Sequence, residues 1–494
     1  MRIGWATRMR ASFGAPFLWL VTLVYFTQGF RSFVWTAVSY QMKDILKLSP
    51  SASQFVVSVA HSPWSIKPIY GILSDCIPIS GRRRLPYLVI STILSLFPWL
   101  ILGLANSLRS SRDSLTAFLT LQNLGSAMAD VVVDAMIAEA VRSELAEFAG
   151  DLQSLSWSAM ALGGIFGSML GGYTLSHLTI DTIFLLFSVL PAIQLLSCAL
   201  VKETPLQLES LQHYKNEENL EFKEDARDYK RKDTPTRTSD TSRRRKNNHK
   251  YHKRKLNLKS EISEKQPGPL VARYDISLRS TIVSLAKAFK QPIILRPMAW
   301  FFLSNVAVPN LSTVMFYYQT EVLNLEASFL GTARVIGWSG LMLGTYLYTR
   351  YLKRKKLRHV LMYAHIGLAI VSLLDIMLVS KLHNQLAIPD KYIVLWGSAF
   401  GDAIKQFKLM PFLIISGQLC PPGIEGTLFA LFMSINNLGA TLGSFLGAGL
   451  ASLLNISSES FDNLIFGVAV QLLATLLPIT FLFLIPKEAT GLTS

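Results

Sequence analysis

Charge and cysteine are both scarce in this chain. Only 16% of its 494 residues are Asp, Glu, Lys or Arg, against about 25% in soluble domains. That excludes an ordinary water-facing surface over most of the length. Cys76, Cys198 and Cys420 are the three cysteines. Three thiols with no CxxC and no His/Cys cluster exclude a disulfide framework and a metal site. The sequence offers no nucleophile with a base at hand, so neither an enzyme nor a cofactor is expected. Acid is scarcer than base, 32 residues against 48, for a formal net charge of +16.

What is abundant is apolar length. Half of the residues are hydrophobic and the mean hydropathy is +0.35. A run of about 20 apolar residues crosses a bilayer core of about 30 Å as a helix. Twelve such spans are predicted, at 17–38, 53–73, 85–105, 115–140, 155–176, 181–201, 293–318, 327–350, 357–380, 391–417, 426–453 and 461–486. The expected fold is an all-α membrane protein with two six-helix bundles, 17–202 and 292–487. The basic residues give the orientation. Arg82, Arg83 and Arg84 and the basic run 350–358 fall in loops on one side. The loops on the other side hold only the pairs Lys43 and Lys47, Arg109 and Arg112, and Lys381 and Lys391. The positive-inside rule then makes the ends 1–16 and 488–494 cytoplasmic. The basic balance is a topology signal, and no nucleic-acid partner is expected. Span 1 is too long for a typical signal-peptide core, so it is read as retained.

The two halves are related. Gly163, Gly167, Ser168, Leu170 and Gly171 return 276 residues later as Gly439, Gly443, Ser444, Leu446 and Gly447. Gly71 precedes Arg82 by 11 residues, as Gly344 precedes Lys355. An apolar chain that repeats itself once is the pattern of a two-halved transporter. The glycine strings are small-residue faces, expected to pack and slide between halves.

Between the bundles the composition changes. Residues 203–290 hold 21 Lys and Arg and 13 Asp and Glu. The stretch 203–275 is too polar to offset its ordering entropy and is predicted to be a disordered cytoplasmic linker. Its segment 243–255 has eight Lys and Arg, which suits anionic lipid as well as plain solvation. At 276–291, Ile276, Ile282, Val283, Leu285 and Phe289 alternate with Arg279, Lys287 and Lys290. That pattern predicts an amphipathic helix at the membrane interface.

A charged side chain at mid-span costs about 2.5–3.5 kcal/mol on insertion scales, so it needs a cavity or a partner. Those here are Arg31, Lys67, Asp130, Asp134, Arg334, Asp375, Asp402, Lys405 and Lys408. Asp130 and Asp134 share one helix face, with Asn123 seven residues before Asp130. They suit substrate donors, a coupling proton, or an ion pair with Lys67 or Arg31. An offset of 275 places Asp130 on Lys405 and Asp134 one residue from Lys408. Acids in span 4 therefore face bases in span 10 across the expected cavity. Asp402, three residues before Lys405, can instead neutralise it along the helix. Gln28, Arg31 and Trp35 form one stripe, as do His61, Trp64 and Lys67, and rings beside polar groups suit a flat heterocycle. Asp75 with Arg82, Arg83 and Arg84 is placed at the cytoplasmic mouth, where a salt bridge could latch one state of the cycle.

These motifs resemble the folate–biopterin transporter family, a branch of the major facilitator superfamily. The resemblance rests on Pro63-Trp64-Ser65-Ile66-Lys67-Pro68 leading to Gly71 and Asp75, and on Ala129-Asp130 through Asp134-Ala135. It rests also on Leu152-Gln153-Ser154, on Phe316-Tyr317-Tyr318, and on Leu419-Cys420-Pro421-Pro422-Gly423 continuing to Asn436-Asn437. It implies twelve helices, a folate- or pterin-like substrate and proton-linked movement. It also gives functional weight to Lys67, Asp75, Asp130 and Asp134. The chain departs from the family pattern at Trp35, Ser312 and Gln418. A carrier of another organic anion, or a membrane receptor or scaffold using the basic linker, are the alternatives.

Overall fold

The computed structural model describes residues 2–144, 149–203, 283, 286–287, 289–418 and 425–487. The linker beyond Glu203, most of 276–291, Cys420 and the tail 488–494 lie outside the described residues. The described chain is helical, with one isolated bridge between Ile79 and Arg82. Helix suits a lipid-embedded chain, because it satisfies each backbone group within its own segment without the closed barrel that strands would need.

The helices follow the predicted spans. A short helix α1 (Arg2–Phe13) ends at Gly14, whose φ of 78° turns the chain into α2 (Ala15–Tyr40), span 1. Span 2 is broken into α3 (Pro50–His61) and α4 (Lys67–Cys76), joined by a 3₁₀ turn, Ser62–Ile66. Pro63 and Pro68 explain the break, since neither can donate to the preceding turn. Then come α5 (Leu85–Leu104), α6 (Asn106–Arg109), α7 (Arg112–Glu144), α8 (Ala149–Leu175) and α9 (Ile180–Cys198). In the second half, span 7 is broken into α10 (Pro292–Val306) and α11 (Ser312–Glu321). The rest are α12 (Ala327–Leu347), α13 (Leu357–Val379), α14 (Asp390–Gln418), α15 (Glu425–Leu453) and α16 (Leu464–Thr480). Among the described residues, six segments are long and apolar enough to cross a membrane by themselves. Of the remaining spans, 2 and 7 are broken, and 4, 8 and 10 carry mid-span charges.

The break in span 7 finds hydrogen-bond partners in both halves. The Asn310 amide donates to the Gly443 carbonyl at 2.9 Å, and the Leu311 amide to Gln471 Oε1 at 3.2 Å. The Thr313 amide donates to Gln54 Oε1 in the other half at 3.0 Å. Unwound backbone at membrane depth is tolerated only with such partners.

The glycine repeat shows its purpose here. A Cβ at Gly163 would meet the Phe26 carbonyl, and a Cβ at Gly439 would meet the Phe302 carbonyl, 276 residues on. Gly167 and Gly171 press on Phe30 and Phe33 of α2, while Gly443 and Gly447 press on Asn305 and Asn310 of span 7. The repeated glycines thus pack inside their own half and not between halves as expected, while Ser168 and Ser444 of the same strings reach the seam. The seam is met one residue later. Gly164 faces Trp338, and Gly172 faces Ala327 and Gly331.

Among the described residues, most of the buried apolar side chains form four clusters. Two are drawn wholly from 9–201 and two wholly from 289–485. None mixes the halves. Across the seam lie polar and ring contacts instead. Ser53 and Tyr317 hydroxyls are 2.6 Å apart, Gln54 Nε2 donates to Ser444 Oγ at 3.2 Å, and Phe55 meets Phe445 edge-on.

Candidate functional site

Broken span 2 sets the first half of the site. The 3₁₀ turn carries Trp64 into the interior, and α4 begins with Lys67, which is 4% exposed. Lys67 Nζ lies 2.6 Å from Asp130 Oδ2 and 4.8 Å from the Trp64 ring centre. The pair therefore follows the structural alternative for Asp130. Asp134, one turn further along α7, accepts a hydrogen bond from the Tyr25 hydroxyl. Among the described residues no cation lies within ion-pair distance of it.

Arg31 is brought to Asn123, not to an aspartate. Its Nη2 donates to Asn123 Oδ1 at 2.5 Å, and Trp64 Nε1 donates to the same oxygen at 2.9 Å. The guanidinium sits between two indoles, 5.2 Å from the Trp64 ring and 6.0 Å from that of Trp35. Trp35 in turn packs on His61 at 4.6 Å. Both stripes expected from spacing therefore meet at one place, a cation wrapped in aromatic faces.

Span 10 supplies the second half. Lys405 Nζ pairs with Asp402 Oδ1 at 2.9 Å along its own helix, yet its side chain stays 64% exposed. It lies away from the Trp396 and Phe400 face of α14, where two stacked rings are exposed. Lys408 donates to Asn305 Oδ1 at 2.6 Å, and Asn305 Nδ2 donates to Asn436 Oδ1 at 2.8 Å. The halves touch nearby, where Asn437 Nδ2 donates to the Trp64 carbonyl at 3.1 Å.

The basic end is braced within the first half. Arg84 reaches Asp75 and Glu139, each at 2.6 Å, so one guanidinium ties spans 2, 3 and 4. Burial alone would lower its pKa. The Glu139 bond and charge, and then Asp75, outweigh burial and raise it. Glu203 caps the start of α5 and accepts from the Arg83, Arg84 and Leu85 amides at 2.7–2.8 Å. Arg82 pairs through its backbone with Ile79.

Residues 28–492 match the family model described as the BT1 family. The chain belongs to the BT1 family. It is 63% identical over 492 residues, all of both chains, to probable folate-biopterin transporter 4 of Arabidopsis thaliana. It is 28% identical over 463 residues to the folate-biopterin transporter of Synechocystis sp., covering 94% of this chain and 80% of that one. Among solved structures, a D-xylose–proton symporter matches with a TM-score of 0.63 at 14% identity, over 98% of this chain and 100% of that one. The nucleoside transporter NupG matches with 0.59 at 11% identity, over 94% and 97%. These two show the major-facilitator fold.

In this BT1 family chain, sequence reasoning missed Tyr25, Asn305 and Asn436. Tyr25 lies three residues before Gln28, on the stripe with Trp35, and that spacing could have found it. An asparagine inside an apolar span is also costly to place, which marks the other two.

Proposed function

We propose that the chain is a secondary-active carrier that moves folate- or pterin-like molecules by alternating access, with the proton as coupling ion. The relatives' names supply the substrate class. The observation that carries the coupling role is the unequal pairing of two neighbouring acids. Asp130 has Lys67, and Asp134 has only a phenol among its described partners. A carboxylate with a neutral donor can take and release a proton without stranding a buried cation, whereas Asp130 cannot. Asp134 is therefore assigned the proton, and Asp130 with Lys67 the fixed frame.

Arg31 and Asn123, between Trp35 and Trp64, are assigned the flat ring. Lys405 and Lys408, with Asp402 tuning the first, are assigned the anionic end. Asp75 with Arg82, Arg83 and Arg84 braces the cytoplasmic mouth as the halves move. In this scheme both termini are cytoplasmic, 17–202 and 292–487 are the moving bundles, and anionic lipid is a candidate partner of the basic linker, with plain solvation as the alternative.

The test is uptake of labelled folate by purified protein in vesicles with an imposed pH gradient. Wild-type rates in both Asp134→Asn and Lys405→Gln would remove the assigned site. A carrier of another organic anion is the alternative. Competition by a panel of anions separates the two.

A further inference from the structure

Arg334 was outside the predicted site, yet it stands on the seam. Its helix α12 shows three faces. Gly331 and Trp338 meet α8, Gly337, Gly340 and Gly344 meet α14, and Leu343 and Tyr346 are exposed. At 100° per residue, Arg334 projects between the α8 and α14 faces, opposite the exposed one. Its Nη1 donates to Thr36 Oγ1 of the other half at 2.7 Å. Among the described residues no carboxylate lies within ion-pair distance of it. A cation in a membrane span without a counter-charge is expensive, and it marks a ligand path.

Two further donors stand on α2 but on another face, Arg31 about 140° and Trp35 about 100° round the helix from Thr36, at the ring site described above. Arg31 Nε and Trp35 Nε1 are buried and have no hydrogen-bond partner among the described residues. Trp35 precedes Thr36 in the chain, and its ring lies 6.0 Å from the Arg31 guanidinium carbon. The span 10 cations are better satisfied, Lys405 by Asp402 and Lys408 by Asn305.

We propose that Arg334 takes, in place of the Thr36 hydroxyl, a substrate carboxylate at the seam that the span 10 lysines do not hold. Arg334 is then a specificity-determining residue that favours acidic over neutral ligands. This rests on the carrier role proposed above. A guanidinium offers a planar fork of donors that matches a carboxylate, which a hydroxyl such as Thr36 uses only in part.

The experiment measures binding to the purified full-length protein in detergent by thermal shift. The probes are p-aminobenzoyl-glutamate and its neutral diamide. The wild type is expected to prefer the acid by about tenfold. Arg334→Gln is expected to lose that preference while its affinity for the diamide stays within about twofold. Arg334→Lys should keep part of it. The proposal is overturned if the wild type shows no preference for the acid, or if Arg334→Gln keeps it. It is also overturned if Arg334→Gln loses both ligands equally while eluting as the wild type, because Arg334 would then only join the halves. Should Arg334→Gln not fold, Arg334→Lys decides, and an unchanged preference overturns the proposal. Failure of folate uptake in vesicles with the acid preference intact would sink the carrier role and leave this subsite standing.

Discussion

Lys67 and Asp130 form a close ion pair, Nζ to Oδ2 at 2.6 Å, at the point where span 2 resumes its helix after the Trp64 turn. Both side chains are largely buried, so removing one partner strands the other. Lys67→Met should lower stability by about 3–5 kcal/mol. Lys67→Met with Asp130→Leu should recover most of it. Thermal unfolding in detergent, read as a double-mutant cycle, checks the sign. Additive losses would mean that the two do not interact.

Asp134 should behave differently from its neighbour. Asp134→Asn keeps the shape and can still bond Tyr25, so the fold should survive within about 1 kcal/mol. Uptake should no longer respond to an imposed pH gradient, while exchange of internal for external substrate continues. Proton flux recorded with a pH dye alongside labelled substrate tests this. A gradient response like that of the wild type would clear Asp134 of the coupling role.

The glycines give a clean contrast. A Cβ at Gly447 would drive into the Asn310 backbone, whereas one at Gly449 meets nothing within 4 Å. Gly447→Ala should destabilise by about 1–3 kcal/mol through overpacking. Gly449→Ala should be neutral or stabilise by up to about 1 kcal/mol through backbone entropy. Denaturation midpoints for the two, two residues apart on one helix, make the comparison direct.

Gln54 ties the halves together at the end opposite the basic one. It is 1% exposed, donates to Ser444 and accepts from the Thr313 amide in the break of span 7. Gln54→Leu leaves that amide unpaired, while the Ser444 hydroxyl still accepts from Asn310 Nδ2, and costs about 1–3 kcal/mol in this conformation. The conformer that separates this end should become more populated. Thiol labelling of Ser53→Cys, buried beside Tyr317, should then speed up about tenfold or more. An unchanged labelling rate would show that Gln54 does not hold this closure.

The spans were legible because apolar length is a one-dimensional signal, and the repeat was legible because glycines at fixed spacing leave a register. Pairing was not. Spacing put Asp130 and Asp134 on one face, but which of Lys67 and Arg31 reaches them depends on how span 2 breaks at Pro63 and Pro68. The fold gives Lys67 to Asp130 and gives Arg31 to Asn123. The role of the glycine strings was misplaced for a similar reason. Gly163 and Gly164 are adjacent in sequence yet about 100° apart on the helix. One meets its own half and the other meets the seam, and no spacing distinguishes them. The bond from Lys408 to Asn305 joins spans 7 and 10, and only the packed bundle brings these together.

The four apolar clusters leave a weak plane through the middle of the molecule. Among the described residues, parting the bundles there opens no shared apolar cluster, so the toll is polar links, small-residue touches and a few ring contacts such as Tyr40 on Phe316 and Phe55 on Phe445. Either bundle can stay solid while the joint between them works back and forth. Substitutions deep inside a bundle should therefore cost abundance, and those along the joint should cost rate.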